Sequence, residues 1–190
     1  MFKKITKELI IWGVWIVIGF VLAALINSFV LVNAQVLTGS MEGTILTHDR
    51  VFGLRTSYIF GEPRRGDIIV FESPLPNEFE EPFIKRIIGL PGEEIAILGG
   101  VVHIDGVPLA ETYVEEEMRR DFEPIIVPNE AFFVMGDNRN YSRDSREWGP
   151  VAAETIIGRI YLGFSPMPTI IANYNYILGG YYEAKPFSNN

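Results

Sequence analysis

From Leu9 to Val32 the chain reads LIIWGVWIVIGFVLAALINSFVLV, apolar on every side, and no charge follows Glu8 until Glu42. A helix with no polar face belongs in lipid or in a large core, and about 20 such residues at 1.5 Å rise span a hydrocarbon layer of about 30 Å. The pattern predicts one membrane helix over residues 9–32, with Trp12 and Trp15 near its start suited to an interface belt. Beyond it the pattern changes to short runs rich in β-branched residues: Ile68–Phe71, Phe83–Gly89, Val101–Ile104 with Val107–Leu109, Ala131–Met135 and Ile156–Leu162. Turn chemistry separates them at Thr47–Arg50, Pro63–Asp67, Leu90–Gly92, Gly99–Gly100 and Asp105–Gly106, and an acidic, proline-flanked loop fills Pro74–Pro82. These features predict a mainly β fold: an antiparallel β-sheet domain over 33–165, with a hairpin-containing subregion at 93–125, on a single N-terminal transmembrane helix. Residues 166–190 form an aromatic tail with Tyr174, Tyr176, Tyr181 and Tyr182, open to reading as a strand, a loose end or a segment at the lipid interface.

A cleaved leader competes with a retained anchor, because Val32-Asn33-Ala34 offers small or modest residues for a cut after Ala34. The apolar run exceeds the roughly 7–15 residues of a leader core, which favours the anchor. Lys3, Lys4 and Lys7 on the short flank place residues 1–8 in the cytoplasm and the domain outside. The 190-residue chain carries a net charge of −8; its first eight residues hold +2, leaving −10 elsewhere. So acidic a domain lacks the basic face that nucleic acid requires, and contact with an anionic bilayer must come from apolar insertion. With no cysteine and two histidines there is no disulfide frame and no thiolate zinc site, so neither metal nor cofactor is expected.

Candidate chemistry begins at Thr38-Gly39-Ser40-Met41. Seven residues separate Val32 from Ser40, which holds this serine within about 30 Å of the membrane surface. A glycine-serine pair is by itself turn chemistry, so a nucleophile needs a base. His48 and His103 sit in no distinctive motif and read as surface or packing residues. The other substitute is a lysine held neutral. Lys3, Lys4 and Lys7 lie across the membrane and Lys185 is in the tail, which leaves Lys85. With a period of two, Phe83, Lys85 and Ile87 share one face of their strand and Ile84, Arg86 and Ile88 the other. A neutral Lys85 near pH 7–8 must drop by about 2 from ~10.4, about 2.7 kcal/mol, which burial can supply; otherwise its amine points to water. A buried Arg86 would require a carboxylate partner. The stretch Met135–Gly149 packs Asp137, Asp144, Arg139, Arg143, Arg146, Ser142 and Ser145 behind a strand. It lacks the spacing of a calcium loop; its charges could lock a loop, or its acceptors could orient an amine.

These residues resemble, in order, four blocks of the bacterial type I signal peptidases, or leader peptidases: Thr38–Met41 with Thr44; Arg65–Phe71; Phe83–Gly92; and Met135–Arg139 with Ser142, Asp144, Ser145, Arg146, Trp148 and Gly149. The resemblance implies a domain of signal-peptidase type in which Ser40 is the nucleophile and Lys85 the general base. It also implies an oxyanion hole of Thr38 hydroxyl and Ser40 N–H, a Ser142 that bonds the lysine amine, and Asp144 with Arg146 as supports. The substrate it implies is the signal peptide of an exported preprotein, lying as an added strand along Gln35, Val36 and Leu37 and along Phe83 and Ile84, and cut after small residues at −1 and −3. The related self-cleaving repressors share this chemistry but carry a DNA-binding module where this chain has an anchor; an anchored, non-catalytic binding domain is the remaining alternative. The sequence departs from the pattern at Gly43 and Leu37, where proline is frequent, and at Glu93, where aspartate is.

Overall fold

The computed structural model of the chain describes residues 2–59, 61–75, 77, 81–165 and 167–170. The aromatic tail beyond Ile170 and part of the acidic loop lie outside them. Helix α1 (Phe2–Phe29) is long and apolar enough to cross a membrane over Ile10–Phe29. Its apolar side chains, Trp12, Trp15 and Phe20 among them, are exposed all round, as a lipid-facing span requires. The helix stops three residues short of the apolar run. Leu31 and Val32 belong instead to β1 (Leu31–Gln35), and Val32 is buried in the domain core. Hydropathy alone does not separate the last turn of a span from a buried strand, and the tether from Phe29 to Ser40 is correspondingly ten residues. Ala34 pairs with Val51 in mid-strand, so a cut after it would split β1.

The remaining strands are β2 (Arg50–Leu54), β3 (Ile68–Phe71), β4 (Phe83–Gly89), β5 (Glu94–Leu98), β6 (Val101–Ile104), β7 (Val107–Pro108), β8 (Phe122–Ile126), β9 (Ala131–Met135), β10 (Val151–Ala152), β11 (Ile156–Ser165) and β12 (Met167–Ile170). They form two antiparallel sheets: an eight-stranded one ordered β1-β2-β11-β3-β4-β9-β10, with β12 on β11, and a four-stranded one ordered β7-β6-β5-β8. The fold is thus mainly β on one apolar helix. The subregion expected to hold a hairpin is a complete small sheet.

Alternation along β4 sorts its side chains among three apolar clusters. Ile84 packs with Val32, Val36, Met41 and Ile45; Phe83 and Ile87 pack with Phe71, Phe132 and Val134; Ile88 joins the cluster of Ile95, Ile97 and Val102 that seats the small sheet. The two cations between them, Lys85 and Arg86, are therefore driven inward on opposite faces by their neighbours. Both are buried.

Candidate active site

Ser40 sits in a single 3-10 turn, Gly39–Met41, entered from the extended Thr38. Met41 is wholly buried in the cluster beneath the turn, which fixes the next residue back, Ser40, at the surface of that core. Lys85 approaches from β4, and its Nζ stands 2.5 Å from Ser40 Oγ. Thr38 Oγ1 lies 3.3 Å from the same oxygen. Only 2% of Lys85 is exposed. Burial pushes its ammonium down to about 8, against the pull of the Asp144 and Asp137 carboxylates and with some help from Arg146. The pair is a hydroxyl hydrogen-bonded to an amine that is partly neutral at physiological pH, which is the composition of an activated nucleophile.

The loop after β9 builds the floor. Asp144, fully buried, accepts from the Gly136 N–H at 3.1 Å and caps the one-turn helix α2 (Ser145–Trp148) through Arg146 N–H. The Arg146 guanidinium forks onto both Asp144 oxygens at 2.8 Å and donates to the Arg139 carbonyl at 2.7 Å. Ser145 accepts from Val134 N–H, tying the loop back to β9. Ser142 does not make the bond expected of it: its Oγ donates to the Arg143 carbonyl at 3.4 Å and not to Lys85. It packs instead against Gly136, beside the Ser40 carbonyl.

Arg86, on the other face of β4, finds its carboxylate in Asp137, with Nε–Oδ1 at 2.8 Å and Nη2–Oδ2 at 2.6 Å. Thr44 donates to the same carboxylate at 2.6 Å, Arg86 also reaches the Gly66 carbonyl, and its guanidinium lies 3.8 Å from the Tyr113 ring centre. Tyr113 and Glu111, a segment with no recognisable motif, carry a further support: Glu111 grips the buried Arg139, whose Nε holds the Gly136 carbonyl. His48 is exposed in a left-handed turn, and His103 lies on the small sheet bonded to the Val101 carbonyl. Neither contacts Ser40.

Gly43, where proline is frequent in the pattern, has φ +98°, which the proline ring forbids; this turn is therefore built differently from a proline-bearing one. Glu93, standing for aspartate, still closes its turn by accepting from Leu90 N–H at 2.7 Å, and adds an ion pair to Arg65. Leu37 is exposed. Beside the Ser40 turn an open cavity of about 510 Å³ is lined by Gly39, Glu42, Glu115, Glu116, Asp137 and Asn138, among others. Four carboxylates, Glu42, Glu115, Glu116 and Asp137, against the single cation Arg139 make it acidic, and neither Ser40 nor Lys85 lines it.

Gly136 makes two close approaches within this floor that residue type and spacing do not signal. A Cβ on Gly136 would stand 2.3 Å from the Ser40 carbonyl oxygen and 2.3 Å from Ser142 Oγ, distances no side-chain rotation relieves at the backbone atom. Gly136→Ala is expected to push the Ser40 turn away from β4 and lower kcat about 100-fold. Steady-state cleavage of a peptide, with thermal unfolding to show a domain still folded, measures this.

Similarity to known proteins gives the family. The family model described as signal peptidase, peptidase S26 matches residues 9–164. The signal peptidase I of Leptolyngbya laminosa is 42% identical over 158 residues, covering 79% of this chain and 76% of that protein. The probable signal peptidase I-2 of Synechocystis sp. is 37% identical over 161 residues, 83% and 74% of the two chains, and the signal peptidase I T of Bacillus subtilis 34% identical over 175 residues, 86% and 89%. A match that runs from the apolar helix through β11, with relatives covered over most of their length, assigns the chain: it belongs to the signal peptidase family, peptidase S26, and is a serine endopeptidase of type I.

Proposed function

We propose that the chain removes signal peptides from exported preproteins by a Ser40/Lys85 dyad, working outside the membrane on an anchor whose N-terminus, residues 1–8, is cytoplasmic. The observation that carries this is the 2.5 Å approach of a buried, depressed-pKa amine to a hydroxyl. Neutral Lys85 takes the Ser40 proton as Oγ attacks the scissile carbonyl. The C–N bond breaks as Lys85 returns the proton to the leaving amine, giving an acyl-enzyme. Lys85 then takes a proton from water, whose oxygen displaces Ser40 Oγ, and Ser40 regains the proton. Thr38 hydroxyl and Ser40 N–H hold the oxyanion.

Backbone pairing supports the substrate groove. Phe83 and Ile84 pair with β3 on one side, and β9 reaches only as far as Met135 opposite Arg86, so among the described residues Ile84 has no strand partner on its other side, next to Lys85. Among the described residues β1 pairs with β2 alone, leaving the strand of Gln35 open, and Val36 and Leu37 lead from it to Ser40. An extended signal peptide added at such edges presents alternate side chains, −1 and −3, to one wall. The short tether from α1 keeps the cut at the lipid surface. Incubating the full-length chain in detergent with a secretory precursor, and mapping the products by mass, tests the reading: wild type cuts after the small −1 residue and Ser40→Ala does not. The same cut by Ser40→Ala would overturn it.

A further inference from the structure

Asn138 lies 98 residues along the chain from Ser40, yet it holds both carbonyls that flank the Ser40 α carbon. Its backbone N–H donates to the Ser40 carbonyl at 3.1 Å. Its side-chain Nδ2 donates to the Gly39 carbonyl at 3.0 Å. The Gly39 carbonyl and the Ser40 N–H belong to one planar trans peptide, in which the two groups point in opposite directions. A donor that fixes the carbonyl thereby fixes the direction of the N–H, and a hydrogen bond accepted at the oxygen polarises the unit so that the N–H donates more strongly. We propose that Asn138 is a positioning residue for the oxyanion hole, its side-chain amide aiming the Ser40 N–H at the developing charge.

The surroundings point the same way. Glu42 N–H also donates to the Gly39 carbonyl, at 3.1 Å, but it belongs to the same tight turn and moves with it. Asn138 is the anchor from outside the turn. It is carried by the loop that Asp144 and Arg139 fasten through Gly136, two residues earlier. Asn138 touches neither Oγ of Ser40 nor Nζ of Lys85, so its influence passes through the peptide plane and leaves the titration of the dyad alone.

This inference rests on Ser40 being the nucleophile, and its test separates the two. In the full-length chain in detergent, with a peptide bearing alanine at −1 and −3, Asn138→Ala is expected to lower kcat about 100-fold, the scale of a small misplacement of a reacting group. KM should change less than twofold, and the pH midpoint of kcat/KM should stay at its wild-type value. A peptide aldehyde ending in alanine, whose hemiacetal oxygen occupies the oxyanion position, should weaken by a factor close to that in kcat. Asn138→Asp keeps the size and the backbone N–H but removes the side-chain donor; compared on the alkaline plateau it should show the same loss, which covers the case of an alanine variant that does not fold. Kinetics within twofold of wild type for either folded variant would overturn the proposal. So would a KM that rises in proportion while aldehyde affinity holds, since that describes substrate binding only. Loss of the Ser40 reading itself would show separately, as cleavage by Ser40→Ala.

Discussion

Lys85→Met is expected to abolish preprotein cleavage and, at the same time, to make the folded chain more stable at neutral pH. The first effect follows from the proposed dyad: removing a general base at 2.5 Å from its hydroxyl costs about 10²–10⁴-fold in rate. The second follows from linkage. The folded Lys85 titrates at about 8 and the unfolded lysine near 10.5, so between those values the unfolded chain binds the extra proton and stability rises with pH. Below about 8 the whole penalty stands, about 3 kcal/mol at ~1.36 kcal/mol per pH unit. Methionine has the shape of the lysine stem and no charge to desolvate. It forfeits about 1 kcal/mol with the Ser40 hydrogen bond, leaving a net gain of about 2 kcal/mol at pH 7. That gain should shrink as pH approaches 10.5, where the wild-type amine is neutral in both states. Thermal unfolding of the two proteins at pH 7 and pH 10 reads it directly, and a variant less stable than wild type at pH 7 would show that burial does not strain the lysine. The same depressed value sets the wild-type rate profile: kcat/KM should climb about tenfold per pH unit below about 8 and level off above it.

That trade of stability for a neutral amine explains which parts of the molecule can be read from the chain. Helix α1, β3, β4, β9 and the start of β11 are continuous apolar runs, and such a run is withdrawn from water wherever it lands. Lys85 and Arg86 stand out because each interrupts such a run. The small sheet is only half legible: β5 follows the Leu90–Gly92 turn with a charge at Glu94, and β8 contains Pro124, which an edge strand tolerates and a pattern search rejects. β1 was hidden in the apolar run of the helix. Within the site, the residues proposed to act through their own chemistry, Ser40 and Lys85, are visible in sequence, whereas those that touch a backbone are not. Asn138 recognises two carbonyls, Gly136 makes room for one, and Glu111 meets Arg139 from a segment with no motif. Ser142 shows the converse: a motif position can be filled while its hydroxyl bonds elsewhere.

The buried Arg86–Asp137 pair should be costly to break from either side and should affect the dyad from one side only. Both residues are nearly inaccessible, so Arg86→Met strands a carboxylate with the Thr44 hydroxyl as its remaining side-chain donor, and Asp137→Asn strands a guanidinium against the Gly66 carbonyl and the Tyr113 ring. Each is expected to lower stability by about 3–5 kcal/mol, the cost of an uncompensated buried charge. Replacing both at once with apolar residues should recover much of that loss, because neither charge is then left alone. Their effects on catalysis diverge. Asp137 is one of two carboxylates that favour the charged form of Lys85. Asp137→Asn removes that pull, so the midpoint of the pH–rate profile should move below about 8 and the fraction of neutral amine at pH 7 should grow. Arg86→Met keeps the carboxylate and strips away its counter-charge, so its midpoint should not fall. Measuring kcat/KM from pH 6 to pH 10 for both variants decides the matter. An Asp137→Asn profile that stays in place or moves upward would mean that Lys85 is set by burial, Asp144 and Arg146, with the second face of β4 serving the fold and not the base.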